Sequence, residues 1–190
     1  MQLIGLTGRA GCGKDTVARF LCETHGFVQI ALADPLRDGL KAMFGLTDEP
    51  LHRRDLKETP IDWIGKSPRE LLQTLGTEWG RELVADDLWL RVAARRIARI
   101  KAYPPHLHVA GIVVSDIRYE NEADWLREQG GQLWLIKRNP NHRHAMEERT
   151  ASHSSEQHIP THAGEPRIYN HGTLDELYDQ VAEILQGTEA

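Results

Sequence analysis

Gly8, Gly13 and Lys14 are spaced as glycine, four free positions, glycine, lysine within the run GRAGCGKDT of residues 8–16. A chain uses that spacing to wrap backbone N–H groups around a phosphate, with the lysine reaching further phosphates as a point charge. Glycines at 8, 11 and 13 allow close approach to the anion and positive φ angles. A helix starting behind the loop adds unpaired N–H groups and a favourable dipole. One residue departs from the pattern. Asp15 stands where a serine or threonine would hold magnesium, and Thr16 is the next hydroxyl. Gly11, Cys12, Gly13, Lys14, Asp15 and Thr16 are therefore expected around bound phosphates. Magnesium would sit on Asp15 or Thr16, directly or through water. The alternative for Asp15 is a structural one, a negative charge at the positive end of a helix.

Other residues can handle anions or a metal. The apolar run 112–114 leads into Ser115 and Asp116, the strand-end carboxylate that backs magnesium in phosphate-loop proteins, and Arg118 follows. Glu120 and Glu122 read as helix-start carboxylates rather than ligands. Asp34-Pro35-Leu36-Arg37 opens a helix with Asp34 as cap and Pro35 first in the helix. Arg37, one turn in, is placed to meet a phosphate or to form a surface ion pair. Ser67-Pro68-Arg69-Glu70 is a capping box with proline at the first helical position. The dipole disfavours Arg69 near that helix start unless an anion sits there. Leu71, Leu72, Leu75 and Trp79 are expected as the buried stripe, with Arg69, Gln73 and Thr77 lining a pocket for a phosphate and a base. Residues 138–171 hold Arg138, Arg143, Arg149 and six of the ten histidines. Zinc on His142 and His144, or on His153 and His158, would lack both a nearby cysteine and a repeated ligand spacing. A basic flap over phosphates, with Arg138 its best-placed charge, fits better.

These side chains need a frame. Apolar runs at 3–6, 27–32, 109–115 and 132–136, with a weaker one at 167–169, read as strands. Helical spacing falls between them at about 14–24, 35–44, 67–80, 87–101, 120–129 and 173–186. Strands alternating with helices predict an α/β fold with a central parallel sheet covered on both faces. Two stretches interrupt the alternation: 45–66, polar and proline-bearing, and 138–166, charged and without period. Segments of this length are usually lids or binding loops, or else disordered. The expectation is one core, residues 1–190, with two mobile insertions.

Bulk composition narrows the partners. The 190 residues carry 23 Lys and Arg against 28 Asp and Glu, a formal charge of −5. That balance gives no general attraction for nucleic acid or an acidic membrane, so anions must be drawn by local arginines. Cys12 and Cys22 are the only cysteines and read as reduced thiols of a cytoplasmic protein, Cys12 as a small tolerated loop residue. A first strand near residue 2 leaves no room for a signal peptide, and no apolar stretch approaches the roughly 20 residues of a membrane span.

The segments GCGKDTVA, ADPLR, SPRELLQTLGTEWGR, VVSDIRYENEA, LWLIKR and YNHGTLDEL run through nearly the whole chain. In them the sequence resembles the bacteriophage deoxynucleoside monophosphate kinases, a branch of the P-loop nucleoside monophosphate kinases. The resemblance implies a three-layer P-loop fold like that of adenylate kinase. About 34–101 would form a monophosphate-binding insertion and about 138–166 a lid. It implies ATP as donor, magnesium, a deoxynucleoside monophosphate as acceptor and commonly a homodimer, in the host cytoplasm if phage-encoded. By motif position Lys14 and its loop would take the ATP phosphates, and Arg138 would be the catalytic lid arginine. Asp34, Arg37, Arg69, Gln73 and Arg118 would serve the monophosphate, and Asn170 and Gly172 would lie beside the ATP base. Another small-molecule kinase, of the dephospho-coenzyme A kinase type, would share the donor half. So would an ATPase module acting on a partner protein.

Overall fold

The structure is a computed structural model that describes residues 1–103, 109–138 and 159–188. The chain divides into two compact units, one of Met1–Ile30 with Ile100–Ala190 and one of Ala31–Arg99.

The first unit is built on five parallel strands, β1 (Gln2–Thr7), β2 (Phe27–Ile30), β3 (Gly111–Val114), β4 (Gln132–Lys137) and β5 (Arg167–Tyr169). Their order across the sheet is β2-β3-β1-β4-β5. β1 is central, pairing Gly5 with Val114 on one side and with Leu133 on the other. A strand flanked on both edges and covered on both faces must be apolar throughout, and residues 3–7 of β1 are all buried. The helices α1 (Lys14–His25), α7 (Glu120–Glu128) and α8 (Leu174–Thr188) complete this unit. Val17, Ala18 and Leu21 of α1 and Leu177, Val181 and Leu185 of α8 share one core with Leu6, Trp134 and Ile168. Burial of that set removes apolar area worth about 25 cal/mol per Å². The order reverses about β1, so the loop after β1 opens at the strand ends where open α/β sheets bind ligands. The five strands and the α/β alternation expected from the apolar runs are all present.

The second unit is helical: α2 (Asp34–Phe44), α3 (Asp48–His52), α4 (Arg54–Lys57), α5 (Pro68–Gln73), a π-helical segment (Thr74–Val84) and most of α6 (Leu88–Lys101). Three expectations change here. Residues 45–66 are not a plain loop, because α3 and α4 form within them, too short to show a period. The helix from 67 does not keep its pitch: from Thr74 it adopts i→i+5 bonding, so four-residue spacing no longer marks one face. Of the expected buried stripe, Leu71, Leu72 and Leu75 are partly buried and Trp79 is 47% exposed, while Pro68, Gly76 and Gly80 are buried. Trp89 of α6 lies against Gly80, and its indole Nε1–H donates to the Gly76 carbonyl at 2.7 Å. α2 starts one residue early, with Ala33 at the cap position and Asp34 inside. The Asp34 carboxylate accepts from the N–H of Ala31 behind it at 2.9 Å, not from the turn ahead.

No helix among the described residues is long and apolar enough to cross a membrane.

Candidate active site

Beyond Thr7 the chain turns through residues 8–13 and enters α1 at Lys14. Gly13 occupies the cap position at φ 110°, a left-handed conformation that excludes most side chains, and no side chain caps the helix there. The first-turn N–H groups have no intrahelical acceptors. Gly8 is as constrained: a Cβ on it would lie 2.3 Å from the Ile136 carbonyl oxygen. The Lys14 ammonium donates to the carbonyls of Gly8 at 2.7 Å and Arg9 at 3.0 Å, and so lies back across its own loop.

A cavity of about 400 Å³ opens at this loop, lined by Gly11, Gly13, Lys14, Asp15, Thr16, Arg138, Asn170, Gly172 and Leu174. The structure thus gathers at one place eight of the nine residues expected on the donor side. The ninth, Cys12, is 3% exposed and belongs to the core. Burial raises its thiol pKa above the ordinary value, an effect that nearby Lys14 only partly counters, so it is a poor nucleophile. Leu174 was not foreseen. Its only sequence signal is an apolar residue at the start of the last helical pattern, and in the structure it is exposed.

Arg138 follows β4 directly and is exposed, with Nη1 donating to the Gly11 carbonyl at 3.2 Å. Asn170 follows β5, and its side-chain amide donates to the Cys12 carbonyl at 2.8 Å. A Cβ on Gly172 would meet the Glu176 carboxylate, which accepts from the Thr173 N–H at the start of α8. Glu122 is a helix-start carboxylate, accepting from the N–H groups of Arg118 at 2.6 Å and Tyr119 at 3.1 Å. Arg118 itself is exposed. Asp116 is partly buried beyond β3, and neither it nor Arg118 lines the cavity.

In the second unit, Asp34 gathers two arginines. Arg37 Nη1 donates to it at 2.9 Å and Arg96 binds its other oxygen. Arg37 Nε is buried with no hydrogen-bond partner among the described residues, so one donor is left over. Arg69 is engaged by Glu58, which occupies the position expected for an anion at that helix start. The capping box is present in full, Ser67 N–H to Glu70 at 2.8 Å and Glu70 N–H to Ser67 Oγ at 3.3 Å. Gln73 ends α5 and is partly buried.

Arg143, Arg149, His142, His144, His153 and His158 lie outside the described residues, as does most of the expected lid. Among the described residues no group of three or more His, Cys, Asp or Glu can hold a metal ion. Magnesium needs no such cluster, since it keeps several waters and takes one or two protein oxygens plus substrate phosphates. Asp15 and Thr16, hard oxygen donors on the cavity wall, fit that requirement.

The profile of the deoxynucleotide monophosphate kinase family matches residues 63–181. A protein of Acanthamoeba polyphaga mimivirus that carries the name deoxynucleotide monophosphate kinase is 37% identical over 154 residues, covering 73% of this chain and 75% of its own. The deoxynucleoside-5'-monophosphate kinase of Escherichia phage T5 is 27% identical over 186 residues, covering 66% of this chain and 72% of its own. Among solved structures, TT1252 from Thermus thermophilus superposes with a TM-score of 0.56 over 100% of this chain and 98% of that one; at 18% identity it speaks for the fold alone.

Proposed function

This chain belongs to the deoxynucleotide monophosphate kinase family and phosphorylates a deoxynucleoside monophosphate, and we propose from that premise how its residues divide the work. ATP is the donor. Its phosphates lie on the loop of residues 8–16, with Lys14 moved from the Gly8 and Arg9 carbonyls onto them. Arg37, Arg69, Gln73 and Arg118 hold the monophosphate, and Asp34 orients Arg37. Arg138 neutralises the transferring group. The observation that carries this reading is the convergence of Lys14, the first turn of α1 and Arg138 on one cavity.

Two polyanions must be brought together, so positioning and charge neutralisation make up most of the catalysis. The acceptor phosphate has a second pKa of about 6 and is largely dianionic at neutral pH, so no strong base is needed. Asp15 and Thr16, with Asp116 behind them, would hold magnesium, which supplies positive charge to the donor phosphates. Asp15 would otherwise repel those phosphates. Exclusion of water keeps ATP from hydrolysis. The cytoplasm, where ATP and deoxynucleotides are found, is the compartment we assign. A homodimer belongs to the same reading and is checked by sedimentation; nucleic acid and membrane have no part in it.

The test is a coupled assay of the purified chain with ATP, magnesium and a panel of deoxy- and ribonucleoside monophosphates and dephospho-coenzyme A. ADP formation that depends on a deoxynucleoside monophosphate is the expected result. Turnover with dephospho-coenzyme A alone, or without any acceptor, would refute it.

A further inference from the structure

Asn170 lines the cavity and directs one N–H of its side-chain amide at the loop. Its backbone N–H donates to the Lys137 carbonyl at 2.8 Å, which extends the β4–β5 pairing by one residue and fixes its Cα to the sheet. Its side-chain nitrogen then donates to the Cys12 carbonyl at 2.8 Å. Only the amide nitrogen can make that contact, since a carbonyl oxygen accepts and never donates. A Cβ on Gly13 would lie 2.4 Å from this nitrogen, so position 13 must lack a side chain for the contact to form. The neighbouring Gly11 carbonyl is held in a similar way by Arg138. Two consecutive carbonyls of the loop are thus tied by side chains rooted just past β4 and β5.

A trans peptide is planar, with its C=O and N–H pointing to opposite sides. The Cys12 carbonyl and the Gly13 N–H belong to one such peptide, so whatever fixes the first aims the second. We infer that Asn170 is a positioning residue of the donor site: it holds the Cys12 carbonyl so that the Gly13 N–H faces bound phosphate. This rests on the assignment of the cavity to ATP. It is separate from a role beside the ATP base, because the contact uses one N–H of the amide and acts on the loop backbone. Without the contact, the Cys12 carbonyl loses this restraint, glycine at 13 lets the peptide turn, and one anion-facing donor is lost.

The test compares wild type with Asn170→Ala and Asn170→Asp by calorimetric titration of tripolyphosphate, which has no base, and of ATP and GTP. Aspartate keeps the shape but cannot donate at neutral pH. Loss of one hydrogen bond to a charged group predicts roughly tenfold weaker tripolyphosphate binding in Asn170→Ala. The ratio of ATP to GTP affinity stays at the wild-type value. An ¹⁵N spectrum supplies a second readout: tripolyphosphate shifts the Gly13 amide in wild type and leaves it unmoved in Asn170→Ala, whose thermal midpoint reports that it is folded. Unchanged tripolyphosphate affinity in both variants overturns the inference, and so does a collapse of the ATP to GTP ratio with tripolyphosphate binding intact. If wild type itself binds neither ATP nor tripolyphosphate, the donor-site reading fails and takes the inference with it.

Discussion

Asp15 is the residue that sets this loop apart. A carboxylate on the wall of a phosphate cavity is tolerable only if a cation stands between, or if the positive end of α1 holds it. Thr16 is the competing metal ligand. Asp15→Ala and Thr16→Ala should therefore raise the magnesium concentration needed for half-maximal rate, at least one of them by about tenfold, the cost of one charge-assisted contact. Steady-state rates at varied magnesium measure this, and unchanged requirements in both variants would leave Asp15 a purely structural charge. Lys14 is simpler. Its ammonium lies on two loop carbonyls, at 2.7 Å and 3.0 Å, and on the proposed reading it passes to the donor phosphates. Lys14→Ala should lower kcat by about 10²-fold or more, as removal of a donor aimed at developing charge does. Arg69→Ala should instead act on the acceptor, raising KM for the monophosphate about tenfold or more with KM for ATP little changed. A kinetic grid in both substrates separates the two.

Two helix and loop anchors give predictions at the level of elements. Ser67 is buried and caps α5 with its hydroxyl, so Ser67→Ala should cost about 1 kcal/mol in urea unfolding. The segment before β5 is tied to α7 by Arg127, which binds Glu165 at 2.7 Å and 3.1 Å and the Pro160 carbonyl at 3.0 Å. Burial alone would raise the Glu165 pKa, but Arg127 and the His162 N–H outweigh it and hold the pKa below the ordinary value. A lowered carboxylate pKa gives stability that is present above the unfolded pKa of about 4.3 and is lost as pH falls through the folded one. Stability measured from pH 6 to pH 3 should fall less steeply in Glu165→Gln than in wild type. Much of the frame was legible in the sequence because apolar runs at 27–32, 109–115 and 132–136 have nowhere to go but the inside of a parallel sheet. The loop at 8–16 was legible because glycine and lysine at that spacing have few other uses. The π-helical turn after Thr74 was hidden, since a shift of hydrogen bonding by one residue leaves composition unchanged. Glu58, eleven positions before Arg69, was hidden because a contact through intervening chain has no period. Cys12 belongs to the loop by its backbone while its side chain packs in the core beneath, which its position in the motif does not reveal.

The whole molecule carries a charge of −5 and yet is assigned two polyanionic ligands, so attraction has to be local. Among the described residues each unit has its own arginines. Lys14, Arg138 and the first turn of α1 lie in one, and Arg37 and Arg69 lie in the other. The family match spans residues 63–181 and so includes parts of both units. Ionic strength gives a check: with exposed charges screened over about 8 Å at 0.15 M salt, monophosphate affinity should drop as salt rises toward 1 M. The most direct measurement is a calorimetric titration of each of the four common deoxynucleoside monophosphates into the chain already saturated with a non-hydrolysable ATP analogue and magnesium. The account predicts saturable binding of at least one of them at one further equivalent. Binding of none, or displacement of the analogue by whichever one binds, would contradict it.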